Sequence, residues 1–339
     1  MRSDSEIPQP TGRADPRLGS CGNPDPSLSI VFGPVPSRRL GRSLGINNIP
    51  PKICSYSCLY CQVGPTLDRS VEPRAFYRPE LIASEVTARV EQVHARGESI
   101  DYLAFVPDGE PTLDANLGET IRLLRPLGIE IAVISNGSLL WRADVREALT
   151  TAGWVSVKVD TATETTWRRL NRPHPSLDFA VVQDGVRRFA KAFGGDLVSE
   201  TMLVGGINDT PESIGAVGGF LREIDVQTAY LAIPTRPTPY TGIVAPDEHA
   251  VARAYHVLSG FVPWVEYLIG YEGNAFSSSG DPVADLLAIT AVHPMRESAV
   301  QELLERCGAE WKVVDELIHQ GKLAEVTYRG HRYYSRHWR

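Results

Sequence analysis

The sequence lacks long apolar segments and has no excess of positive charge. No run in its 339 residues approaches the ~18 uninterrupted apolar residues of a membrane-spanning helix. The net charge of −7 argues against a protein that coats nucleic acid nonspecifically, although a local basic face is compatible with it. Residues 1–29 are rich in Pro, Gly, Ser and Asp and lack the apolar core of a secretory signal, so we expect a disordered leader and a cytoplasmic protein.

Cysteine is scarce and unevenly placed. The chain has five cysteines, an odd number, and three of them lie within eight residues. A secreted disulfide framework would spread and pair its cysteines, so a metal or redox site is the better interpretation. With 42% hydrophobic and 22% charged residues, the composition is that of a globular protein with a sizeable core. The length suits one large α/β domain with a small appendage.

Short, β-rich apolar runs alternate with helical patterns between about residues 45 and 280. We predict strands at Leu44–Ile49, Tyr102–Val106, Glu130–Ser135, Val155–Asp160, Leu197–Val204 and Thr228–Ile233. We predict helices at Glu80–Arg96, Ala115–Arg125, Arg142–Ala152, Asp178–Ala192, Pro211–Glu223 and His249–Leu258. This alternation implies parallel strands with right-handed crossovers. Six such units suit a partial (β/α)6-type α/β barrel over residues 30–280, although an open doubly wound sheet shows the same local pattern.

The predicted strand Val155–Asp160 indicates a functional interior. Its three valines alternate with Ser156, Lys158 and Asp160, so the valines share one face and the polar residues share the other. If the valines pack on the surrounding helices, the polar face lines a cavity that holds a ligand or water, because buried ions without partners are costly. An edge strand with one solvated face is the alternative.

The pattern changes after Gly280. Helical patterns at Pro282–His293, Glu297–Arg306 and Glu310–Gln320 precede a hairpin of Ala324–Tyr328 and His331–Ser335. Three short helices followed by a hairpin are typical of a winged helix-turn-helix, and we assign residues 281–339 to such a module. Modules of this kind bind nucleic acid or pack against their own enzyme or a protein partner. The basic residues from Lys322 onward leave both roles open.

The residues with the clearest chemistry are Cys54, Cys58 and Cys61, which form a C-x3-C-x2-C loop after the first predicted strand. Three thiolates at this spacing can hold three irons of a [4Fe–4S] cubane and leave the fourth iron open for a small ligand. Zinc is the alternative, but a zinc site needs a fourth ligand at short spacing. The nearest histidine, His94, lies in a predicted surface helix, so the spacing favours the cluster.

The cysteine loop, with Tyr60 directly before its last cysteine, resembles the radical S-adenosylmethionine (SAM) signature. The run Phe32–Gly45, which leads into the loop, resembles more narrowly the branch that includes tRNA wyosine-base synthases and related bacterial iron–sulfur oxidoreductases. The resemblance implies that SAM binds the open iron through its amino and carboxylate groups. One electron, supplied by an external donor of the flavodoxin or ferredoxin type, then cleaves SAM to methionine and a 5′-deoxyadenosyl radical.

The resemblance also implies residues that bind SAM. The segment Asp108-Gly109-Glu110-Pro111 is similar to the family's GGEP motif, which hydrogen-bonds the SAM ammonium, and Asp108 replaces its first glycine. A plain Gly-Pro turn is the alternative for this segment.

Four further residues are assigned to the cofactor. Ser135 and Asn136 end the third predicted strand, where the family often contacts the SAM ribose, although an Asn-Gly pair also makes a turn. Met202, on the fifth predicted strand, is assigned to cofactor binding together with Tyr60.

Lys158 and Glu200 are the catalytic candidates. Glu200 shares a strand face with Met202, and we expect it to contact a ligand because an ion in a barrel strand needs a partner. For Lys158 the first choice is a simple pair with Asp160; orienting a carboxylate, or a Schiff base with a carbonyl substrate, are the others. Four arginines are candidates to hold an anionic substrate, with a solvated basic stretch as the alternative: Arg38, Arg39, Arg42 and Arg236.

The cysteine count limits the choice within the branch. Wyosine-base synthases use a second iron–sulfur cluster with its own cysteines, whereas this chain has only Cys21 and Cys307 to spare, far apart in sequence. We therefore predict a one-cluster radical SAM enzyme that acts on an unidentified substrate, with RNA or a nucleotide preferred. The alternative function is an iron–sulfur redox sensor that binds DNA through its winged-helix module.

Overall fold

The computed structural model describes residues 30–238, 240–269, 276 and 278–336. The predicted leader, residues 1–29, and Cys21 within it lie outside the described residues. In the described part of the chain, no helix combines the length and the apolar character that crossing a bilayer requires.

The strands and helices follow the sequence prediction closely. The described residues form the strands β1 (Val31–Ser37), β2 (Gly41–Ile46), β3 (Ile53–Cys54), β4 (Asp68–Arg69), β5 (Tyr102–Phe105), β6 (Glu130–Ser135), β7 (Trp154–Lys158), β8 (Asp196–Met202), β9 (Thr228–Ala232), β10 (Trp264–Leu268), β11 (Met295–Arg296), β12 (Leu323–Tyr328) and β13 (His331–Arg336). The α-helices are α1 (Pro79–Ala95), α2 (Leu117–Leu124), α3 (Ala143–Leu149), α4 (Glu164–Leu170), α5 (Phe179–Ala192), α6 (Pro211–Glu223), α7 (Glu248–Ser259), α8 (Pro282–Val292), α9 (Glu297–Cys307) and α10 (Lys312–His319). Every predicted strand and helix is present, with its ends within three residues of the prediction.

Eight strands form one curled, half-barrel sheet in the order β1-β2-β5-β6-β7-β8-β9-β10. Neighbouring strands from β2 to β10 are parallel, and β1 pairs with β2 in the antiparallel direction. The predicted partial α/β barrel is therefore confirmed. Because the carboxyl ends of parallel strands meet at one edge of a sheet, the loops after β2, β5, β6, β7 and β8 lie close together.

The sequence prediction missed the two edge strands of this sheet. β1 contains Pro34 and Pro36, which an edge strand tolerates because one side of its backbone needs no partner. Its register with β2 shifts between Phe32 and Val35. β10 has mostly exposed or half-exposed side chains, so no buried apolar run marks it in the sequence.

The polar face of β7 points into the half-barrel. β7 lies between β6 and β8, so the edge-strand alternative is wrong. Its valines belong to the main hydrophobic core, which also contains buried side chains of α1, α2, α6 and α7. Ser156 and Asp160 are buried on the opposite face, and Lys158 is half-buried there. The alternation in the sequence thus separates a helix-packed face from a polar inner face.

The C-terminal residues pack on β1. Strands β11, β13 and β12 form a second sheet in that order, next to α8, α9 and α10. Their hydrophobic core includes Phe32 and Val35 of β1 together with Leu286 and Tyr334. The predicted helices and hairpin are present, while the winged-helix assignment and the division into residues 30–280 and 281–339 stay predictions.

Phe32 joins the two parts of the fold, and we expect Phe32→Ala to destabilise the protein by about 3–5 kcal/mol. The side chain is 2% exposed, and its ring fills the space where a Cβ on Gly45 would lie, 2.0 Å from the ring. Urea unfolding measures the change. Val326→Ala, at an exposed position of the hairpin, is the control and should cost less than about 0.5 kcal/mol. Similar losses of unfolding free energy in the two variants would contradict the conclusion that Phe32 joins the two parts of the fold.

Candidate active site

The three predicted cluster cysteines lie in a loop at the carboxyl-terminal edge of the main sheet. The loop begins at β3, which pairs with β4. Glu110 N donates to Ile53 O at 3.0 Å on one side of the loop. On the other side, Ser57 N and Leu59 N donate to backbone oxygens of residues 170–172. The backbone around the cysteines is therefore held from two directions.

The cysteines line one cavity of about 280 Å³. Its charged lining consists of Arg38, Arg39, Lys52, Asp108, Lys158, Glu200 and Arg236. The predicted site residues Tyr60, Gly109 and Met202 line it as well. The cavity thus brings together the cysteine loop, part of the GEP-like loop and both catalytic candidates.

The cysteine thiols are enclosed by protein, which disfavours their charged form. Burial raises the pKa of Cys54 well above its usual value, and Glu110 and Cys58 add to the shift. Burial likewise raises the pKa of Cys58, to about 12, and that of Cys61. Thiolates here need a cationic partner, which the irons of a cluster supply.

Gly109 approaches the cysteine loop closely. A Cβ at this position would lie 2.0 Å from Ile53 O, a distance that backbone atoms do not allow. Glycine is therefore required where the GEP-like loop passes the strand that leads into the cysteines.

Glu110 connects several of the predicted SAM residues. Its carboxylate is 1% exposed and accepts hydrogen bonds from Thr112 N at 3.2 Å, Ser135 Oγ at 2.7 Å and Asn136 N at 2.7 Å. Burial raises the pKa of Glu110, and these donors oppose the shift. Pro111 begins the short 3-10 turn that Glu110 caps. Glu110, Pro111, Ser135 and Asn136 therefore form one connected unit behind the cysteine loop.

Asp108, which stands where the family has a glycine, forms a buried ion pair with Lys52. Lys52 Nζ lies 2.9 Å from Asp108 Oδ2, and both residues line the cavity. Burial raises the pKa of Asp108 to about 6, although Lys52 opposes the shift. The sequence analysis missed Lys52; its position two residues before Cys54 was the available signal.

Tyr60 is tied to the polar face of β7. Its hydroxyl donates to Asp160, which also accepts a hydrogen bond from Met202 N at 2.8 Å. Lys158 Nζ lies 5.1 Å from the centre of the Tyr60 ring, within the range of a cation–π contact. The aromatic residue of the cysteine motif thus connects the loop to the inner strands.

Two asparagines contact the cysteine loop. Asn136 Nδ2 donates to Ser55 Oγ at 2.8 Å and to Cys54 Sγ at 3.6 Å, so both of its amide hydrogens have acceptors in the protein. Asn171 Nδ2 lies 3.6 Å from Cys58 Sγ. The sequence analysis placed Asn136 on the SAM ribose and missed Asn171, because Asn171 follows α4, a short helix that was not predicted.

Lys158 and Glu200 form an ion pair across neighbouring strands. Lys158 Nζ lies 2.5 Å from Glu200 Oε1, and Arg39 binds the other carboxylate oxygen. The expected Lys158–Asp160 pair is wrong, because the β7–β8 register places Lys158 directly beside Glu200. Burial raises the pKa of Glu200, but Lys158 and Arg39 outweigh it and lower the pKa to about 2.

The surroundings of Lys158 favour the protonated form of its amine. Burial lowers its pKa, but Glu200 and Asp160 outweigh burial and raise it above the usual value. A Schiff base requires a neutral amine, so this environment disfavours covalent chemistry at Lys158.

The four candidate arginines do not act as one group. Arg39 binds Glu200, whereas Arg42 pairs with Glu98 and is not among the residues lining the cavity. Arg38 and Arg236 both line the cavity, and Arg236 donates to Gln62 Oε1 at 2.5 Å.

The C-terminal residues form part of the cavity wall. Val292 of α8 lines the cavity. Tyr328 Oη donates to Pro234 O at 3.0 Å, and Tyr333 Oη donates to Thr235 O at 3.2 Å. The hairpin β12–β13 is therefore docked on the cavity-lining segment that follows β9.

The half-barrel and the cysteine loop define a SAM-dependent iron–sulfur enzyme. The radical SAM superfamily profile matches residues 48–217, which include the cysteine loop and strands β5 to β8. The chain belongs to the radical SAM superfamily, whose members are enzymes that use SAM and a [4Fe–4S] cluster. It is similar to a UPF0026 protein of Methanocaldococcus jannaschii, with 42% identity over 309 residues that cover 91% of this chain and 96% of that protein.

Two solved structures share the fold. A radical SAM methyltransferase from Sphaerobacter thermophilus has a TM-score of 0.50 and 18% identity, covering 66% of this chain and 66% of that chain. A structure of TYW1 with a lysine-pyruvate adduct bound has a TM-score of 0.50 and 16% identity, covering 65% of this chain and 74% of that chain. The predicted superfamily is confirmed.

Glu200→Gln should lower the free energy of unfolding by about 3 kcal/mol at pH 7, because Lys158 and Arg39 lose their shared counter-charge. The folded-state pKa of about 2 lies below that of an unfolded glutamate. Wild-type protein therefore loses this contribution as the pH falls from about 4.5 towards 2, and the gap between the two proteins should narrow in that window.

Urea unfolding of both proteins from pH 7 downward measures this gap. Glu91→Gln, which removes an exposed acid from α1, is the matched control and should leave stability nearly unchanged. A gap between wild type and Glu200→Gln that stays constant as the pH falls would contradict the assignment.

Proposed function

We propose that this protein is a one-cluster radical SAM enzyme in which Cys54, Cys58 and Cys61 hold the [4Fe–4S] cluster. The observation that carries the proposal is that the three thiols line one cavity with Gly109 and Lys158. Each thiolate would bind a different iron and leave the fourth iron open. When bound, the cluster supplies the electron that cleaves SAM to methionine and a 5′-deoxyadenosyl radical.

Gly109, Glu110, Pro111, Ser135 and Asn136 form the proposed SAM-binding unit. Glu110 Oε1 accepts three hydrogen bonds, whereas Oε2 accepts one, from Asn136 N. Oε2 therefore keeps capacity for one more donor such as an ammonium group, although Glu110 is 1% exposed and Gly109 is the member of the unit that lines the cavity. The side-chain amide of Asn136 already contacts the cysteine loop. We therefore propose that the backbone of Asn136, rather than its side chain, contacts SAM.

Tyr60 and Met202 are proposed to contact the cofactor as well. Both line the cavity, and the fixed Tyr60 ring supplies an aromatic surface there. An aromatic side chain whose hydroxyl is already bonded can pack against a ligand without losing a polar contact.

Lys158 and Glu200 are proposed to orient the substrate through non-covalent contacts. The pair combines a cationic donor and an anionic acceptor at the cavity surface. The lysine-pyruvate adduct of the TYW1 structure is a different chemistry from the one we propose at Lys158, where Glu200 raises the pKa of the amine and favours its protonated form. A protonated amine binds a carbonyl or phosphate oxygen without forming a covalent bond.

RNA or a nucleotide is the proposed substrate class. Two observations support this class: the resemblance of Phe32–Gly45 to the wyosine-base branch, and the cationic side chain of Arg38 in the cavity. The C-terminal basic residues add little, because Arg332 pairs with Glu297 and Arg336 donates to a backbone oxygen of α8.

The position of the hairpin does not support the alternative function, a redox sensor that binds DNA through this module. A wing that binds DNA must present its strands and basic side chains to the duplex. Here the hairpin tyrosines bond to the segment after β9, so the hairpin faces the enzyme. We therefore favour the enzyme over the sensor.

An external one-electron carrier of the flavodoxin or ferredoxin type is the proposed reductant. Among the described residues, Cys307 is the one cysteine outside the cluster loop, which is too few for a second internal cluster. We propose that the electron comes from another protein, which a chemical reductant such as dithionite can replace in an assay.

Reconstituted wild-type protein should form 5′-deoxyadenosine from SAM under dithionite, and Cys58→Ala should form none. The protein is loaded anaerobically with iron and sulfide, and the product is measured by mass spectrometry. Cys307→Ala is the matched control, because this cysteine lies in α9 and should be dispensable for the cluster. Full iron content and SAM cleavage in Cys58→Ala would overturn the ligand assignment.

The same assay tests the substrate class. Addition of nucleotides or unmodified RNA should raise the rate of 5′-deoxyadenosine formation above the substrate-free rate and yield a modified product. A rate that responds to neither would count against this class, while leaving the cluster assignment intact.

A further inference from the structure

Two of the three cluster cysteines lie beside an asparagine side chain. Asn136 Nδ2 is 3.6 Å from Cys54 Sγ, and Asn171 Nδ2 is 3.6 Å from Cys58 Sγ. These distances suit N–H···S hydrogen bonds, which are longer than bonds to oxygen because sulfur is larger. Asn136 follows β6 and Asn171 follows α4, so the two donors reach the loop from separate elements.

Other contacts orient each amide so that its N–H end faces the sulfur. Asn136 Oδ1 accepts a hydrogen bond from Ser138 N at 2.9 Å, and its Nδ2 also donates to Ser55 Oγ. Asn171 Nδ2 donates one hydrogen to Asp160 Oδ2 at 2.6 Å, and its second hydrogen is shared between Tyr60 Oη and Cys58 Sγ. Rotating either amide by half a turn would place an oxygen against another acceptor or against the sulfur, so the donor orientation is the stable one.

Asn171 also belongs to the network that holds Tyr60. Its Nδ2 lies 3.2 Å from Tyr60 Oη, and both groups contact Asp160. Asn171 is 3% exposed, and its backbone oxygen accepts a hydrogen bond from Ser57 N at 3.1 Å. One residue thus holds the backbone, the aromatic side chain and a sulfur of the cysteine loop.

We propose that Asn136 and Asn171 are positioning residues that donate N–H···S hydrogen bonds to the cysteine sulfurs that hold the cluster and thereby raise the reduction potential of the cluster. The proposal rests on the proposed function, because it requires the cluster on these cysteines. A reduced cluster carries one more negative charge than an oxidised one, and hydrogen bonds to the thiolate sulfurs stabilise that charge. The two side chains would therefore make it easier to deliver the electron that SAM cleavage needs.

The test is a redox titration of the reconstituted full-length protein, followed by electron paramagnetic resonance without SAM. Asn136→Leu and Asn171→Leu should each lower the midpoint potential. At a fixed applied potential the ratio of reduced to oxidised cluster should fall severalfold, and a tenfold fall corresponds to 59 mV for a one-electron couple. Asn136→Ala and Asn171→Ala serve as second variants if either leucine substitution prevents folding.

Asn208→Leu is the matched control. Asn208 is buried and donates to the backbone oxygens of Asp160 and Met202, with no bond to a cysteine. It should lower thermal stability without moving the potential of the loaded cluster. If the Asn136 and Asn171 variants both carry full iron content and show the same midpoint potential as the wild-type protein, the proposal is overturned. Failure of wild-type protein to form a cluster would instead count against the proposed function.

Discussion

The buried carboxylate of Glu110 is the contact on which the arrangement of the site depends. It receives hydrogen bonds from Thr112, Ser135 and Asn136, and its own backbone N–H bonds to Ile53. A buried carboxylate without such donors would carry a large desolvation cost. The carboxylate of Glu110 therefore holds together the loops after β5 and β6, and its backbone N–H ties them to the strand that leads into the cysteine loop.

Ion pairs also determine how the polar side chains on the inner face of the half-barrel are arranged. The cross-strand register places Lys158 beside Glu200, and Arg39 reaches the same carboxylate from the turn between β1 and β2. Lys52 and Asp108 form a second pair near the cysteines. Buried ions in such pairs add little net stability but are costly to separate. Their value here is positional, because they fix polar groups around a cavity before a ligand arrives.

Much of this site could be predicted from the sequence, and the rest depends on spatial relations that sequence spacing does not encode. The cysteine loop, the GEP-like turn and the alternation in β7 are local patterns, and each lines the cavity or supports it. The partner of Lys158 could not be predicted, because it depends on the register between two strands 42 residues apart. Asn171 was missed because its helix is short and its contact with Cys58 spans 113 residues. β1 was missed because its prolines oppose strand formation except at an edge.

The position of β1 decides how the C-terminal residues relate to the site. Through Phe32, β1 packs into the C-terminal hydrophobic core. β1 also pairs with β2, and the chain runs from β2 into the cysteine loop. A shift of the C-terminal core would therefore displace the strand pair that leads to the cysteines, because packed interiors transmit strain. Val292 lines the cavity as well. The C-terminal residues therefore affect the site both through β1 and by direct contact with the cavity. These residues therefore form part of the wall of the cavity that contains the three cysteines.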